Sequence, residues 1–206
     1  MTPALLSDIG AHRLFVSGAL HEGDETVFLL SPDEPGFWAH VTAEAEFADG
    51  APDPIDRWSR RVIEALAGTH GGRAAFPFGG PPFAPFFRWA RESGQAFTSP
   101  IHLLVHARTG LWASYRGALI MPGHVPLPPA AEHPCTQCPA PCRTQCPVGA
   151  FTLTRYEIDI CHGFLDSADG TNCLLHGCLA RRACPIGQGY GRLSEQSSWH
   201  MRHFHP

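Results

Sequence analysis

The sequence predicts a mixed α/β (or α+β) domain over residues 1–128, followed by a smaller cysteine-rich domain over residues 129–206. Short apolar runs alternate with helix-like stretches in the first part, which is typical of a mixed fold. All eight cysteines lie in the second part, between Cys135 and Cys184. Residues 122–134 contain five prolines and predict a linker between the two domains.

The first 50 residues predict two strands and a helix. Apolar runs at residues 14–19 and 26–30 are long enough for short buried strands. Residues 37–47 predict a helix, and Gly50 is expected to end it.

The next helix is marked most clearly, and it begins after Asp53. Asp53 is expected to cap the helix, Pro54 occupies the first helical position, and Asp56 adds a carboxylate to the first turn. Four apolar side chains then recur with helical spacing, and Gly68 predicts the end of the helix. These side chains are Ile55, Trp58, Val62 and Leu66.

Four more elements complete the N-terminal domain. Residues 74–78 predict a strand that leads into a Gly-Gly-Pro-Pro turn, and residues 86–93 predict a short helix. Residues 101–106 and 112–121 predict a β-hairpin, because two apolar runs flank a turn that contains glycine.

The composition excludes several classes of function. All 15 basic residues are arginine, so no lysine can form a Schiff base or serve a phosphate-binding loop. The net charge of −4 is not typical of a nucleic-acid-binding protein. No run approaches the ~20 apolar residues of a membrane helix, and residues 1–20 do not form a secretory signal. We therefore expect a cytoplasmic protein whose partners include neither nucleic acid nor a membrane.

The spacing of the cysteines predicts iron–sulfur chemistry. The run Cys135-x2-Cys138-x3-Cys142-x3-Cys146-Pro147 is one residue longer than the bacterial ferredoxin run, which also ends in Cys-Pro. A four-iron cluster needs four thiolates that converge from different directions. A short loop supplies three of them, and the cysteine before the proline binds the neighbouring cluster. Eight cysteines then suffice for two [4Fe–4S] clusters.

This rule divides the cysteines into two crossed sets. One cluster is expected to bind Cys135, Cys138, Cys142 and Cys184. The other is expected to bind Cys146, Cys161, Cys173 and Cys178. Three alternatives stay open at this point: two zinc sites with four cysteine ligands each, disulfides, and a Rieske-type centre that uses His162 and His176.

The predicted hairpin contains a second pattern, and it resembles the cobalamin-processing CblC family. The matching residues, in order, are His106, Gly110, Trp112, Arg116-Gly117 and Pro122-Gly123. The resemblance implies a CblC/nitroreductase-like α/β fold in which His106, Trp112 and Arg116 contact a cobalamin. Because side chains alternate along a strand, Trp112 and Arg116 would lie side by side on one face. Phe76 and Phe78, in a weaker upstream match, are candidates for the same pocket.

The cysteine-rich domain is similar to the iron–sulfur module of epoxyqueuosine reductases and reductive dehalogenases. Those enzymes fuse a CblC-like domain to a two-cluster ferredoxin-like module, in the same order along the chain. The residues that match the second half of the module are Asp159-Ile160-Cys161, the pair Cys173 and Cys178, and Cys184-Pro185.

Together the two resemblances imply a redox protein whose clusters deliver electrons to a bound cobalamin. The cobalamin would be reduced and lose its upper ligand, an oxidoreductase activity like that of a cobalamin reductase or decyanase. The expected electron donor is a low-potential ferredoxin, flavodoxin or flavin reductase. The alternative is a two-cluster electron carrier whose first domain binds no cobalamin, or binds another planar cofactor such as flavin.

Two groups of polar residues are assigned to solvent. Arg181 and Arg182 are interpreted as a solvated pair, with docking of an acidic electron donor as the alternative. The histidines of the C-terminal tail, His200, His203 and His205, are expected to be exposed.

Overall fold

The fold is described from a computed structural model that covers all 206 residues. The chain divides into two compact units. The first unit comprises Met1–Ala96 with Ser114–Ala131, and the second comprises Phe97–Ala113 with Glu132–Pro206. The boundary after Ala131 lies close to the predicted one at residues 128/129. Residues 97–113, however, group with the cysteine-containing unit, and not with the first domain as the sequence suggested.

Strands and helices are mixed along the chain. The strands are β1 (Leu14–Glu22), β2 (Glu25–Pro32), β3 (Arg73–Ala75), β4 (Ala96–Thr98), β5 (Leu104–His106) and β6 (Gly117–Pro122). The α-helices are α1 (Pro3–Ala11), α2 (Gly36–Thr42), α3 (Ala45–Ala48), α4 (Pro54–His70), α5 (Phe86–Glu92), α6 (Ile158–Leu165), α7 (Thr171–His176), α8 (Leu179–Arg182), α9 (Pro185–Gln188) and α10 (Ser194–Phe204). Helices combined with small antiparallel sheets form an α+β fold, which confirms the predicted mixed class.

The first unit is built on a four-stranded sheet. Its strand order is β1-β2-β6-β3, and every neighbouring pair is antiparallel. β6 is a central strand, because Leu119 pairs with Phe28 of β2 on one side and with Ala74 of β3 on the other. The strands predicted at residues 14–19 and 26–30 are confirmed, and both extend further than the apolar runs.

Helix α4 packs against this sheet through the predicted apolar face. Trp58, Val62 and Ile63 are almost completely buried, so the helical spacing of the apolar residues is confirmed. The predicted start is confirmed, since Asp53 occupies the cap position and Pro54 the first helical position, but the cap geometry and the predicted end at Gly68 need correction. The side chain of Asp53 makes no capping hydrogen bond, and the residue adopts a left-handed conformation with φ of +53°. The helix continues past Gly68 to His70, because burial of Leu66 and Ala67 outweighs the ~1 kcal/mol that an interior glycine costs.

The predicted hairpin of residues 101–106 and 112–121 is wrong. β5 pairs with β4, β6 pairs with β2 and β3, and residues 112–116 belong to no strand. The last strand starts only at Gly117. A Cβ at this position would lie 2.6 Å from Cδ1 of Ile63 in α4. A glycine there lets the strand pack closely on the helix, and this long-range contact leaves no local sequence signal.

Two other predicted elements are shorter than expected. The helix predicted over residues 37–47 is broken at residues 43–44 into α2 and α3. Only the start of the strand predicted at 74–78 is in the sheet, as part of β3. The helix predicted at 86–93 is confirmed as α5.

The second unit has a small core and short helices. Its buried side chains include Ile101, Val105, Leu111 and Ala180, together with two of the cysteines, Cys142 and Cys184. Helix α10 packs against α7. In neither unit does a helix have the length and apolar run that crossing a bilayer requires.

Candidate metal centre

All eight cysteines belong to the second unit, and all are free thiols. Electrostatic interactions between the thiol groups divide them into two sets.

Set I consists of Cys135, Cys138, Cys142 and Cys184. The thiol of Cys135 interacts electrostatically with each of the other three, and Cys142 interacts with Cys138 and Cys184. The four residues line one pocket. Its other walls are Ser99, Pro100, Val105, Leu111, Pro134, Ala140, Pro141, Pro185 and Ile186, which are apolar apart from the serine.

Local structure brings Cys184 to the other three residues of set I. Cys142 lies in a short 3-10 helix, Pro141–Arg143, that packs against α8. Cys184 follows α8 and caps α9, where Pro185 fills the first helical position. Gly110 lies against Cys184, and a Cβ on Gly110 would be 2.8 Å from the sulfur of Cys184.

Set II consists of Cys146, Cys161, Cys173 and Cys178. Cys161 interacts electrostatically with Cys146 and Cys173, and Cys178 interacts with Cys173. Tyr156 interacts with three members of the set, Cys146, Cys161 and Cys178. Cys161 lies in α6, Cys173 lies in α7, and Cys178 immediately precedes α8.

The membership of the two sets is the one that the spacing predicts. Cys142 and Cys146 stand in one run, yet their thiols belong to different sets. Cys184, far along the chain, joins the first three cysteines of the run. That these thiols bind iron stays a prediction.

Hydrogen bonds reach several of the sulfur atoms. The backbone N–H of Ala140 donates to Cys138 at 3.4 Å, and the backbone N–H of Ala150 donates to Cys146 at 3.3 Å. The phenol of Tyr156 acts to lower the pKa of Cys161, although burial raises that pKa. Hydrogen bonds to cysteine sulfur stabilise the negative charge that a metal-bound thiolate retains.

Burial raises the pKa of four of the thiols and so favours their protonated form when no metal is bound. Removal from water, reinforced by the neighbouring thiols, raises the pKa of Cys135 to about 11. The same desolvation raises the pKa of Cys142, Cys161 and Cys178. Binding of a metal centre would release these protons, because the thiolate is the ligand.

Cysteine thiolates are ligands of both iron–sulfur clusters and zinc. No three His, Cys, Asp or Glu side chains are arranged to hold one metal ion. A four-iron cluster gives each thiolate its own iron, so its sulfur ligands stand further apart than those round one zinc. The unit also contains buried polar atoms without a protein partner: Thr109 Oγ1, His162 Nε2, and both amide atoms of Gln196. The four thiols of set I and the apolar walls of their pocket fit a cluster, and the thiols of set II are of the same ligand type.

The predicted cobalamin contacts are not brought together in one unit. His106 and Trp112 belong to the second unit, whereas Arg116 belongs to the first. The expected placement of Trp112 beside Arg116 on one strand is wrong, because β6 begins only at Gly117.

Arg116 has a structural role in the first unit. It is 8% exposed, its Nε donates to the hydroxyl of Ser59 at 3.2 Å, and it forms an ion pair with Asp56. Both partners lie on α4, so Arg116 ties the segment before β6 to this helix.

His106 and Trp112 also have structural contacts. The Nδ1 atom of His106 accepts hydrogen bonds from the backbone N–H groups of Arg108 and Thr109, which closes the turn. The ring of Trp112 is covered by two guanidinium groups: Arg181 Cζ lies 4.9 Å from a ring centroid and Arg192 Cζ lies 5.4 Å away. A flat face of the indole therefore packs on arginine.

Phe76 and Phe78 do lie together, with ring centroids 5.1 Å apart in the first unit. Arg60 stacks on both rings, with Cζ 4.7 Å from the Phe76 centroid. Both phenylalanines are partly buried. Their contact with a cobalamin stays a prediction.

Two expectations about exposed residues need correction. Arg181 and Arg182 are not a solvated pair, since Arg181 packs on Trp112 and Arg182 hydrogen-bonds to Asn172 at 2.7 Å. His200 and His205 are partly buried, whereas His203 is exposed as expected. The ring of His205 contacts His162 at 3.2 Å and Asp166 at 3.1 Å. The tail forms α10 and packs on α7, which takes His205 out of free solvent.

The sequence reasoning missed two groups at set II. Tyr156 interacts electrostatically with Cys161, and Arg181 does so with both Cys178 and Tyr156. A signal existed for Arg181, because it stands within one helical turn of Cys178. No local signal distinguishes Tyr156.

Comparison with protein-family models, with curated proteins and with solved structures finds no match to this chain. The function is therefore argued from the site itself.

Proposed function

We propose that the protein is an iron–sulfur electron-transfer protein in which set I and set II each bind one [4Fe–4S] cluster. The second unit is in this proposal a ferredoxin-like module. One observation supports it above the others: Cys135, Cys138, Cys142 and Cys184 line one pocket, although Cys184 lies far along the chain from the other three.

Each cluster would supply one-electron redox chemistry without making or breaking a covalent bond to a substrate. The residues of the chain have three tasks. The cysteine thiolates bind iron, backbone N–H groups such as that of Ala140 donate to sulfur, and apolar side chains such as Val105 and Leu111 exclude water.

The metal content tests the proposal directly. Protein purified or reconstituted without oxygen is expected to be brown and to contain about eight iron and about eight sulfide per chain. A colourless protein that contains zinc and no sulfide would contradict the proposal and favour the zinc alternative.

Paired substitutions test the crossed ligand sets. Cys142→Ser with Cys184→Ser removes two ligands of set I, so about four iron atoms should remain. Cys142→Ser with Cys146→Ser is the matched control, because it also removes two cysteines but one from each set. The control should lose both clusters. Equal iron content in the two double variants would contradict the crossed assignment.

Electron delivery to a bound cobalamin is a second proposal, and it depends on the resemblance of the first unit to the CblC family. The partly buried pair Phe76 and Phe78, stacked with Arg60, is the feature of that unit that suits a planar ligand. Equilibrium dialysis of the anaerobic protein against hydroxocobalamin tests it. Stoichiometric retention that Phe78→Ala weakens would support the proposal. No retention by a protein with both clusters would leave a two-cluster electron carrier.

A further inference from the structure

The turn at residues 106–110 lies against set I, although it is remote from most of these cysteines in sequence. A Cβ built on Gly110 would lie 2.8 Å from the sulfur of Cys184. The residues that flank the turn, Val105 and Leu111, line the same pocket as the four thiols of set I, and both are almost completely buried. The turn and its flanks therefore form one wall of this pocket.

His106 closes the turn. Its backbone pairs with the backbone of Gly110 through two hydrogen bonds of 2.9 Å each. Its Nδ1 atom accepts from the backbone N–H groups of Arg108 and Thr109, at 3.0 and 3.3 Å. His106 is only 4% exposed. Backbone N–H groups that lose their acceptor away from water cost free energy, so the imidazole fixes the conformation of the turn.

Two further contacts hold this segment in the second unit. The Nε of Arg181, in α8, donates to the carbonyl of Leu111 at 2.7 Å. Before the turn, the ring Nε2 of His102 lies 3.1 Å from the carbonyl oxygen of Thr152. The segment is therefore tied on both sides of the turn to the part of the chain that contains the cysteines.

Gly110 makes the close approach to Cys184 possible. It adopts the left-handed conformation, with φ of +57°, which glycine reaches without strain. A Cβ at this position would also lie 2.4 Å from the backbone nitrogen of Gly187, which belongs to α9. Any other residue would push the turn away from α9 and from the sulfur that precedes this helix.

We propose that residues 99–111 form a wall that keeps water away from the cluster at set I, and that His106 is the positioning residue that holds this wall closed. The inference rests on the proposed function, since it requires a cluster at set I. Exposure to solvent is one of the factors that set the potential of a cluster. Water stabilises the reduced cluster more, because that state carries the greater negative charge, so a closed wall keeps the potential low.

His106→Leu tests the proposal, because leucine is apolar and provides no acceptor for the two N–H groups. Potentiometric titration of the two-cluster protein should show that one of the two potentials rises. A tenfold change in the one-electron equilibrium is the expected size, which corresponds to ~59 mV. About four of the eight iron atoms should also pass to a chelator about tenfold faster. Equal changes at both clusters, or no change at either, would overturn the proposal.

His106→Asn is the rescue variant, and His203→Leu is the matched control. The amide oxygen of asparagine accepts from backbone N–H groups two residues further on, as Nδ1 of His106 does, so this variant should restore most of the potential. His203 is exposed in α10 of the same unit, and its replacement should leave both potentials unchanged. An asparagine variant no better than the leucine variant, or a control with an equal effect, would contradict the role of His106.

A double-cysteine background assigns the effect to one cluster. The protein with Cys142→Ser and Cys184→Ser is expected to retain only the cluster at set II. Adding His106→Leu to this protein should leave the remaining potential and the rate of iron release unchanged. A change of either would show that the wall covers the other cluster and would overturn the proposal.

Val105→Thr is the second variant, and it decides the question if His106→Leu loses a cluster. Threonine has nearly the shape of valine but places a hydroxyl in the wall of the set I pocket, while the turn keeps its imidazole. One of the two potentials should rise, and two unchanged potentials would overturn the proposal. Zinc or no iron in the unsubstituted protein would instead reject the proposed function, so the two failures are distinguishable.

Discussion

The two units of the molecule fill their interiors with different kinds of side chain. The core of the first unit contains large apolar residues that are completely buried, among them Phe37, Trp58 and Leu119. The core of the second unit is smaller, and two of its buried members are Cys142 and Cys184.

This difference indicates what stabilises each unit. Burial of apolar surface is the main stabilising contribution in the first unit and needs no bound group. The second unit has mostly short helices and contains all eight thiols, so the proposed metal binding would add its free energy to the folding of this unit. The first unit is expected to fold by itself, and the second is expected to depend on its clusters.

Removal of iron should produce the largest effect. A chelator applied to the reduced anaerobic protein is expected to unfold the second unit and leave the first folded, because only the second loses ligand bonds. Hydrogen exchange followed by mass spectrometry checks this along the chain. Residues 132–206 should lose protection, while β2 and α4 should keep it. Equal loss in both units would contradict the comparison.

The next effect concerns the buried ion pair of the first unit. Arg116→Ala leaves Asp56 without its ion-pair partner and removes one of the two hydrogen bonds of the Ser59 hydroxyl, which still donates to the carbonyl of Ile55. It is expected to lower the free energy of unfolding by about 2 kcal/mol. This estimate is below the value for a fully buried pair, because the side chain of Asp56 is 35% exposed. Urea unfolding measures the change.

Iron content is the control for Arg116→Ala. It should be unchanged, since Arg116 belongs to the first unit and the cysteines belong to the second. Loss of iron without a change in unfolding free energy would show that Arg116 acts on the clusters and not on the first unit.

A pair of glycines gives a smaller effect and an internal control. Gly117→Ala places a Cβ 2.6 Å from Ile63 Cδ1 and 3.1 Å from the carbonyl oxygen of Ala75, so it should destabilise the first unit by about 1 to 2 kcal/mol. Gly68→Ala adds the same methyl group in α4, where nothing lies within 4 Å. It should stabilise the helix by up to ~1 kcal/mol. Thermal unfolding should therefore shift in opposite directions, and shifts of the same sign would contradict the packing argument.

The sequence predicts some parts of this molecule well, because their signals are local. The buried face of α4 follows from the spacing of Trp58 and Val62. The crossed division of the cysteines between two clusters stays a prediction. The partners of β6 could not be predicted, since β2 and β3 are remote in sequence and Gly117 meets Ile63 only in the folded unit.

Contacts between segments that are remote in sequence also limited the prediction of the candidate site. Arg181 was interpreted as solvated because its contacts with Leu111 and Trp112 come from a distant segment of the chain. Trp112 and Arg116 were expected on one strand because alternation was assumed for residues that belong to no strand.

The smallest expected effect is a pH dependence that belongs to the first unit alone. Desolvation is the largest effect that lowers the pKa of His12, and the nearby charges of His40 and Arg61 also lower it. The carboxylates of Glu44 and Asp8 act in the opposite direction, and the net pKa lies below the ordinary value. The unfolded chain therefore takes up a proton more readily than the folded unit. Above the ordinary histidine pKa of ~6.5 both states are neutral at this residue and no stability is lost. As the pH falls below that value towards the lower pKa of the folded state, the first unit should lose stability.

Urea unfolding at about pH 5.5 and about pH 7.5 tests this. The difference in unfolding free energy between the two pH values should be smaller in His12→Gln than in the unsubstituted protein. His124→Gln, which replaces an exposed histidine of the same unit, should leave the difference unchanged. An identical pH difference in all three proteins would mean that burial of His12 contributes nothing to the acid sensitivity of the first unit.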